Sequence, residues 1–328
     1  MTILIAALAI AARPATAETC QLAKVAALPV SVASGNRVLI DGSIKGQPTL
    51  FQVDTGATDT TFDVSVFARF GIVNTGHELR GLGATGETTV IKSQIPDLKI
   101  GSFKILSLYQ IISERHFLPD QISGLFGEDF FVSFDLDFDL KDNFINLFQY
   151  NSCLNEPIYW SKTFSEADIL VQRSAIYVIV ELNGKPARAL LDTGAGTSIV
   201  SLRLARRLGL DSDSPGMIPL GPARGVGLQA LPSYGYRFAE IRVGDEVIKN
   251  PFLRVFNLSP IKYDTSSMYH IQDSNQKDYD MLLGADFIKA HHIYIATRQG
   301  KMYFTYNGDG AIFPVLSPHP AGAPPPAR

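Results

Sequence analysis

Two aspartates stand in the same four-residue setting, Asp54-Thr55-Gly56-Ala57 and Asp192-Thr193-Gly194-Ala195. Two carboxylates held close together cannot both ionise cheaply, so they share one proton and titrate as a unit. One can take a proton from water while the other, protonated, donates to a carbonyl oxygen. That is hydrolysis by general acid-base catalysis without a covalent intermediate. Asp54 and Asp192 are therefore the candidate catalytic pair. Thr55 and Thr193 would not react; their hydroxyls suit a hydrogen-bonded lock between the two loops. Gly56 and Gly194 would let backbone approach the carboxylates and donate N–H groups to them.

Each copy must be positioned by the elements around it. Thr49-Leu50-Phe51-Gln52-Val53 precedes the first and Ala187-Arg188-Ala189-Leu190-Leu191 the second, and both read as half-buried strands. A hairpin signal lies upstream of each, at Asp41 to Pro48 and at Val180 to Pro186, where Asn183-Gly184 suits a type I′ turn. Downstream, Leu125-Phe126-Gly127-Glu128-Asp129-Phe130-Phe131 and Leu282-Leu283-Gly284-Ala285-Asp286-Phe287-Ile288 repeat one pattern: two apolar residues, Gly, any residue, Asp, two apolar residues. An isolated Asp-Thr-Gly is ordinary turn chemistry. Matched elements recurring in one order indicate an internal duplication of domain size.

On these residues the chain resembles the aspartic proteases, the retroviral type more than the pepsin type. Each lobe of that family carries Asp-Thr/Ser-Gly and a later apolar-apolar-Gly segment passing beneath the aspartate loop, matched by Leu125-Phe126-Gly127 and Leu282-Leu283-Gly284. Ala57 and Ala195 match the retroviral enzymes. The resemblance implies an all-β, bilobal acid-protease fold: two similar closed, barrel-like lobes with short helices, in one chain resembling a bacterial exported tandem. It implies an aspartic endopeptidase acting on an extended peptide or protein, with no cofactor. Flaps of the family are Gly-rich hairpins. The candidates are Arg80 to Gly86, with Gly81, Gly83 and Gly86, and Gly221 to Gly227, with Gly225 and Gly227. Asp129 and Asp286 are read as helix caps rather than as catalytic groups. The alternatives are a catalytically silent bilobal peptide-binding protein, and a homodimer pairing equivalent lobes of two chains in place of a monomer.

With 328 residues, 46% of them apolar, the chain suits two domains. The boundaries expected are 18–155 for the amino-terminal lobe, 156–172 for the connection, 173–312 for the carboxy-terminal lobe and 313–328 for a Pro-rich tail. A net charge of −3 gives no footprint for nucleic acid. His291-His292, adjacent on a strand, point to opposite faces and make a poor metal site, and no phosphate or dinucleotide loop is present, so neither metal nor cofactor is implied. Residues 1–17 read as an export signal closing on Ala15-Thr16-Ala17, too short to span a bilayer, which implies an exported, periplasmic protein without stable membrane insertion. In that compartment Cys20 and Cys153 could pair. Short helices are expected at Asp63 to Phe70 and Ser201 to Leu208, hairpins at Leu98 to Ile112 and Tyr236 to Val255, and a polar insertion at Ser259 to Lys277.

Overall fold

The computed structural model describes residues 22–315 except 75, 77, 84–85, 114–115, 152, 154–155, 173, 224–230, 259–278 and 309. The expected export signal, Cys20, Gly225 and Gly227, the insertion and nearly all of the tail lie outside the described residues. Export and a periplasmic setting therefore find no support in the structure. Cys153 is the one cysteine described and is not a free thiol, while Cys20, the partner expected for it, lies outside the described residues. No described helix is long and apolar enough to cross a membrane.

Strands dominate, and their alternation explains them. In Ala175–Leu182, Val178, Val180 and Leu182 are buried while Ile179 and Glu181 face outward. A fully buried Val, Leu, Ile or Phe contributes about 1.5–3 kcal/mol relative to its exposed state, so a one-residue slip of register would forfeit that for the whole row. The hairpins form as the turn chemistry requires. Asn183 and Gly184 have φ of 48° and 73°, and in the first half Lys45 and Gly46 have φ of 51° and 75°. The helices are single turns or little more: Ser65–Phe70, Glu128–Phe131, Leu202–Arg207 and Ala285–Ala290. Ser201 caps the third, accepting from the Leu204 N–H at 3.1 Å.

The duplication is visible in the pairing. Ile122–Phe126 runs parallel to Gln47–Val53 and antiparallel to Thr61–Phe62, which in turn runs parallel to Phe103–Ser113. Met281–Gly284 runs parallel to Lys185–Asp192 and antiparallel to Ile199–Ser201, which runs parallel to Phe252–Phe256. In each half the apolar-apolar-Gly strand thus threads between the strand entering the aspartate loop and the strand leaving it.

The lobes are not closed barrels, and that expectation is corrected. The described strands join into one 22-stranded sheet system. Neither lobe stands as a separate barrel, because three strands of each extend into a sheet that continues across the lobe boundary. Lys24–Ala33, Phe144–Phe148 and Asp135–Asp139 form three successive strands of one lobe; His291–Ala296, Lys301–Tyr306 and Ser165–Gln172 form three of the other. They meet where Asp135–Asp139 pairs with His291–Ala296, with Phe138 opposite Ile293 and Leu136 opposite Ile295. One apolar core runs through both lobes beneath this shared sheet.

A polar knot fastens the same junction. Asp137, fully buried, accepts from Asn146 Nδ2 at 2.9 Å, from Tyr159 Oη at 2.6 Å and from His292 Nε2 at 2.7 Å. The Trp160 ring stacks on His292 at 3.6 Å and 5°. Asp135, also fully buried, accepts from the N–H groups of Asn151 and Thr297 and from Thr297 Oγ1; burial nevertheless pushes its carboxyl above the usual range. Read as sequence, the alternation in Phe134-Asp135-Leu136-Asp137-Phe138 looks like a strand with one wet face. Both aspartates are instead sealed between lobes, which no local pattern reveals.

Candidate active site

Asp54 and Asp192 each begin a tight loop whose own backbone holds the carboxylate. Asp54 Oδ1 accepts from the N–H groups of Gly56 and Ala57 at 3.0 and 3.1 Å. Asp192 Oδ1 accepts from Gly194 and Ala195 at 2.8 and 3.1 Å. The glycines are required by the opposite loop: a Cβ on Gly56 would collide with the Asp192 carboxyl, and one on Gly194 with the Asp54 carboxyl. The two carboxylates are therefore face to face within one chain, each seated over the other's loop.

The threonines lock this arrangement. Thr55 Oγ1 donates to Leu191 O at 2.7 Å and Thr193 Oγ1 donates to Val53 O at 2.8 Å. Each hydroxyl also accepts from the other threonine's N–H, at 3.0 and 3.1 Å. Both threonines are buried. Two further contacts cross the boundary: Gln52 Nε2 to Gly194 O at 3.3 Å and Asn36 Nδ2 to Gly196 O at 2.9 Å.

Asp129 and Asp286 brace the far side of the loops rather than capping helices. Asp129 Oδ1 accepts from the N–H and Oγ1 of Thr60 at 3.0 and 2.7 Å, and Thr60 Oγ1 accepts from the Gly127 N–H at 3.1 Å. Asp286 accepts from the N–H and Oγ of Ser198 at 2.8 and 2.6 Å, and Ser198 Oγ accepts from the Gly284 N–H at 2.9 Å. The helix N-caps are Gly127 and Gly284, without a side-chain cap bond. Burial pushes the Asp286 carboxyl up to about 6, against the pull of the Ser198 hydrogen bonds.

The first candidate flap is a hairpin: Glu78–Gly83 pairs with Gly86–Ile100, and Gly81, Gly83 and Gly86 lie on it. In the second half Ile218–Ala223 pairs with Leu231–Arg237, the connection between them, with Gly225 and Gly227, being outside the described residues.

Comparison with known proteins agrees with this duplicated geometry. The family model described as "Aspartyl protease" matches residues 40–130 and 178–287, one segment for each aspartate loop and the strand threaded beneath it. The chain belongs to the aspartyl protease family. As a two-lobed member of it, the chain is also similar to DNA damage-inducible protein 1 of Saccharomyces cerevisiae. The identity is 30% over 127 residues, which cover 38% of this chain and 24% of that protein. The namesake from Candida glabrata is 28% identical over 128 residues, covering 39% and 25%. The matched region thus spans about a quarter of the length of these relatives. Among solved structures, basic 7S globulin from soybean aligns over 87% of this chain and 95% of its own, at 10% identity and a TM-score of 0.46.

The sequence missed what lines the two sides of the pair. Two apolar clusters sit apart from the main core. One gathers Leu39, Leu118, Ile122 and Leu125 against Ala57; the other gathers Tyr177, Leu190, Ile199, Phe256 and Leu282 against Ala195 and Tyr279. Ala57 and Ala195 follow the two aspartate turns directly, so each cluster borders its own aspartate. Burial raises the Tyr279 phenol, and the Asp192 charge raises it further.

Proposed function

We propose that this protein is an aspartic endopeptidase that hydrolyses peptide bonds with water activated between Asp54 and Asp192. The observation that carries the reading is the reciprocal seating of the two carboxylates, each over the glycine of the opposite loop. In that arrangement one proton shared by the pair leaves one carboxylate as base and the other as acid. Thr55, Gly56, Thr193 and Gly194 position the carboxylates without reacting. An extended peptide or protein substrate would lie across the pair beneath the two hairpins, its backbone held by strand-like hydrogen bonds and its side chains entering alternate pockets. Pairing within one chain supports a monomer as the acting unit, because the threonine bonds that a dimer would make between chains are made between lobes.

A second reading keeps the cleft without turnover: a catalytically silent bilobal peptide-binding protein. Family membership supports it equally, and the same lock, loops and flanking clusters serve binding as well as hydrolysis. One experiment separates the two. A diverse peptide library is offered from acidic to neutral pH to the protein and to its Asp54→Asn and Asp192→Asn variants. The hydrolase reading expects cleavage by the unaltered protein and its loss in both variants. Retention of peptides without products supports the silent reading. Cleavage surviving either substitution sinks the shared pair. Activity recovered on mixing the two variants would show pairing between chains.

A further inference from the structure

The two halves of the cleft descend from one pattern, so each lobe is a control for the other. Leu39 pairs with Gln52 and Tyr177 with Leu190, both partners standing two residues before an aspartate. Ile122 and Tyr279 hold the same place ahead of Gly127 and Gly284. Thr61 pairs with Ile111 and Ile199 with Arg254, on the strands that leave the two aspartate loops. At three matched positions, then, an aliphatic side chain in the first lobe is replaced in the second by tyrosine, tyrosine and arginine.

Arg254 is the replacement with chemical consequence. Its register partner Ile199, and Phe256 two residues along its own strand, both belong to the cluster that borders Asp192, so the guanidinium leaves the sheet on that same face. It is partly buried, and its hydrogen-bond partner is a neutral one, Ser233 Oγ at 2.9 Å, on the strand that leads back from the second hairpin. Ser233 Oγ in turn donates to Gly221 O, on the outgoing strand of that hairpin. No carboxylate of the described residues pairs with Arg254, and burial alone holds its pKa below the usual guanidinium value. Arg188, on the same face through its alternation with Leu190, sits over the Tyr177 ring at 5.3 Å and likewise has no carboxylate partner among the described residues. Guanidinium groups partly withdrawn from water, with no counter-charge among the described residues, are costly, and the planar fork of donors suits an incoming carboxylate.

We infer that the cleft is chemically asymmetric: the first lobe takes an apolar side chain of the peptide, and the second takes an acidic one, whose carboxylate pairs with Arg254. This rests on the peptide-cleft reading and adds the substrate class. The test is binding to the Asp54→Asn protein, which separates recognition from turnover. Peptides of apolar composition carry a single Glu or Gln, moved one position at a time, and their affinities are read by fluorescence anisotropy at neutral pH. One position is expected at which Glu binds about tenfold or more tighter than Gln, the range of a charge-assisted bidentate contact. That ratio should fall to about one in Arg254→Ile, which restores the residue type of the first lobe, and Arg254→Glu should favour a Lys peptide. It should also fade below about pH 4, as the peptide carboxyl protonates. Circular dichroism of both variants checks that they fold. Binding without Glu–Gln discrimination, or discrimination that persists in a folded Arg254→Ile protein, overturns this inference and leaves the cleft reading standing. Absence of binding by any peptide overturns both.

Discussion

The lock between the loops gives the sharpest quantitative expectation. Thr55→Val keeps the shape of a side chain that is 1% exposed but removes its hydroxyl. Two buried bonds go with it: the one donated to Leu191 O at 2.7 Å and the one accepted from the Thr193 N–H at 3.1 Å. Leaving a buried polar group without its partner costs about 1–3 kcal/mol. The N–H bears the larger share, since a carbonyl oxygen keeps a second lone pair and stays near the low end, so the sum is about 2–4 kcal/mol for the pair. Thr55→Ser keeps the hydroxyl and loses one buried methyl, at about 1 kcal/mol. Thr193→Val removes the equivalent bonds to Val53 O and from the Thr55 N–H. The double variant should cost less than the sum of the singles, because the four bonds form one network. Equilibrium urea unfolding followed by Trp160 fluorescence and far-ultraviolet circular dichroism measures these differences. A Thr55→Val protein within about 0.5 kcal/mol of the parent, or a Thr55→Ser protein as unstable as the Val variant, would refute the assignment of the lock to the hydroxyls.

Three further expectations follow from individual contacts. Gly194→Ala drives a Cβ into the Asp54 carboxyl and should cost about 1–3 kcal/mol and abolish cleavage, whereas Gly184→Ala, with open space around it and only a φ of 73° to strain, should cost about 1 kcal/mol and keep it; equal effects in thermal unfolding and peptide assays would contradict the geometry. Asp286 has a folded pKa raised from 3.8 to about 6, so its contribution is greatest at low pH and is lost as pH rises through about 6. Asp286→Asn, which does not titrate, should gain on the parent by about 2–3 kcal/mol between pH 4 and 7, and parallel stability profiles would refute the burial argument. His116 donates to the buried Asp63 at 2.9 Å and to Asp120 at 3.0 Å, and its pKa is raised chiefly by the Asp63 bond. Burial works to raise Asp63, but the hydrogen bonds from His116, Phe117 and Ser65 bring it below its usual range. The raised histidine stabilises below its ordinary pKa near 6.5 and the lowered aspartate above 3.8, so His116→Gln should lose most between those limits and converge with the parent as pH rises, as read by melting temperature against pH.

The sequence alone determined the duplication, the identity of the aspartate loops and the hairpins that enter them. These rest on local chemistry: positive φ at Asn183-Gly184, backbone donors offered within a few residues to Asp54 and Asp192, and the recurrence of an apolar pair before glycine. The expectation of closed lobes failed because closure is a matter of which distant strands pair. Each segment would pair as well with a partner in the other lobe, and only the assembled chain, with Asp135–Asp139 against His291–Ala296, decides. The same limit hid Asp137, whose burial depends on Asn146, Tyr159 and His292 arriving from three other segments. Asp129 and Asp286 looked like caps because a helix follows them; their partners Thr60 and Ser198 are far off in sequence and become neighbours only through the threaded strand. Arg254 shows the point most plainly. In sequence it is one arginine among apolar residues, and it acquires meaning only once register sets it beside Ile199, on the face that borders Asp192, in the register position that Ile111 holds in the other lobe.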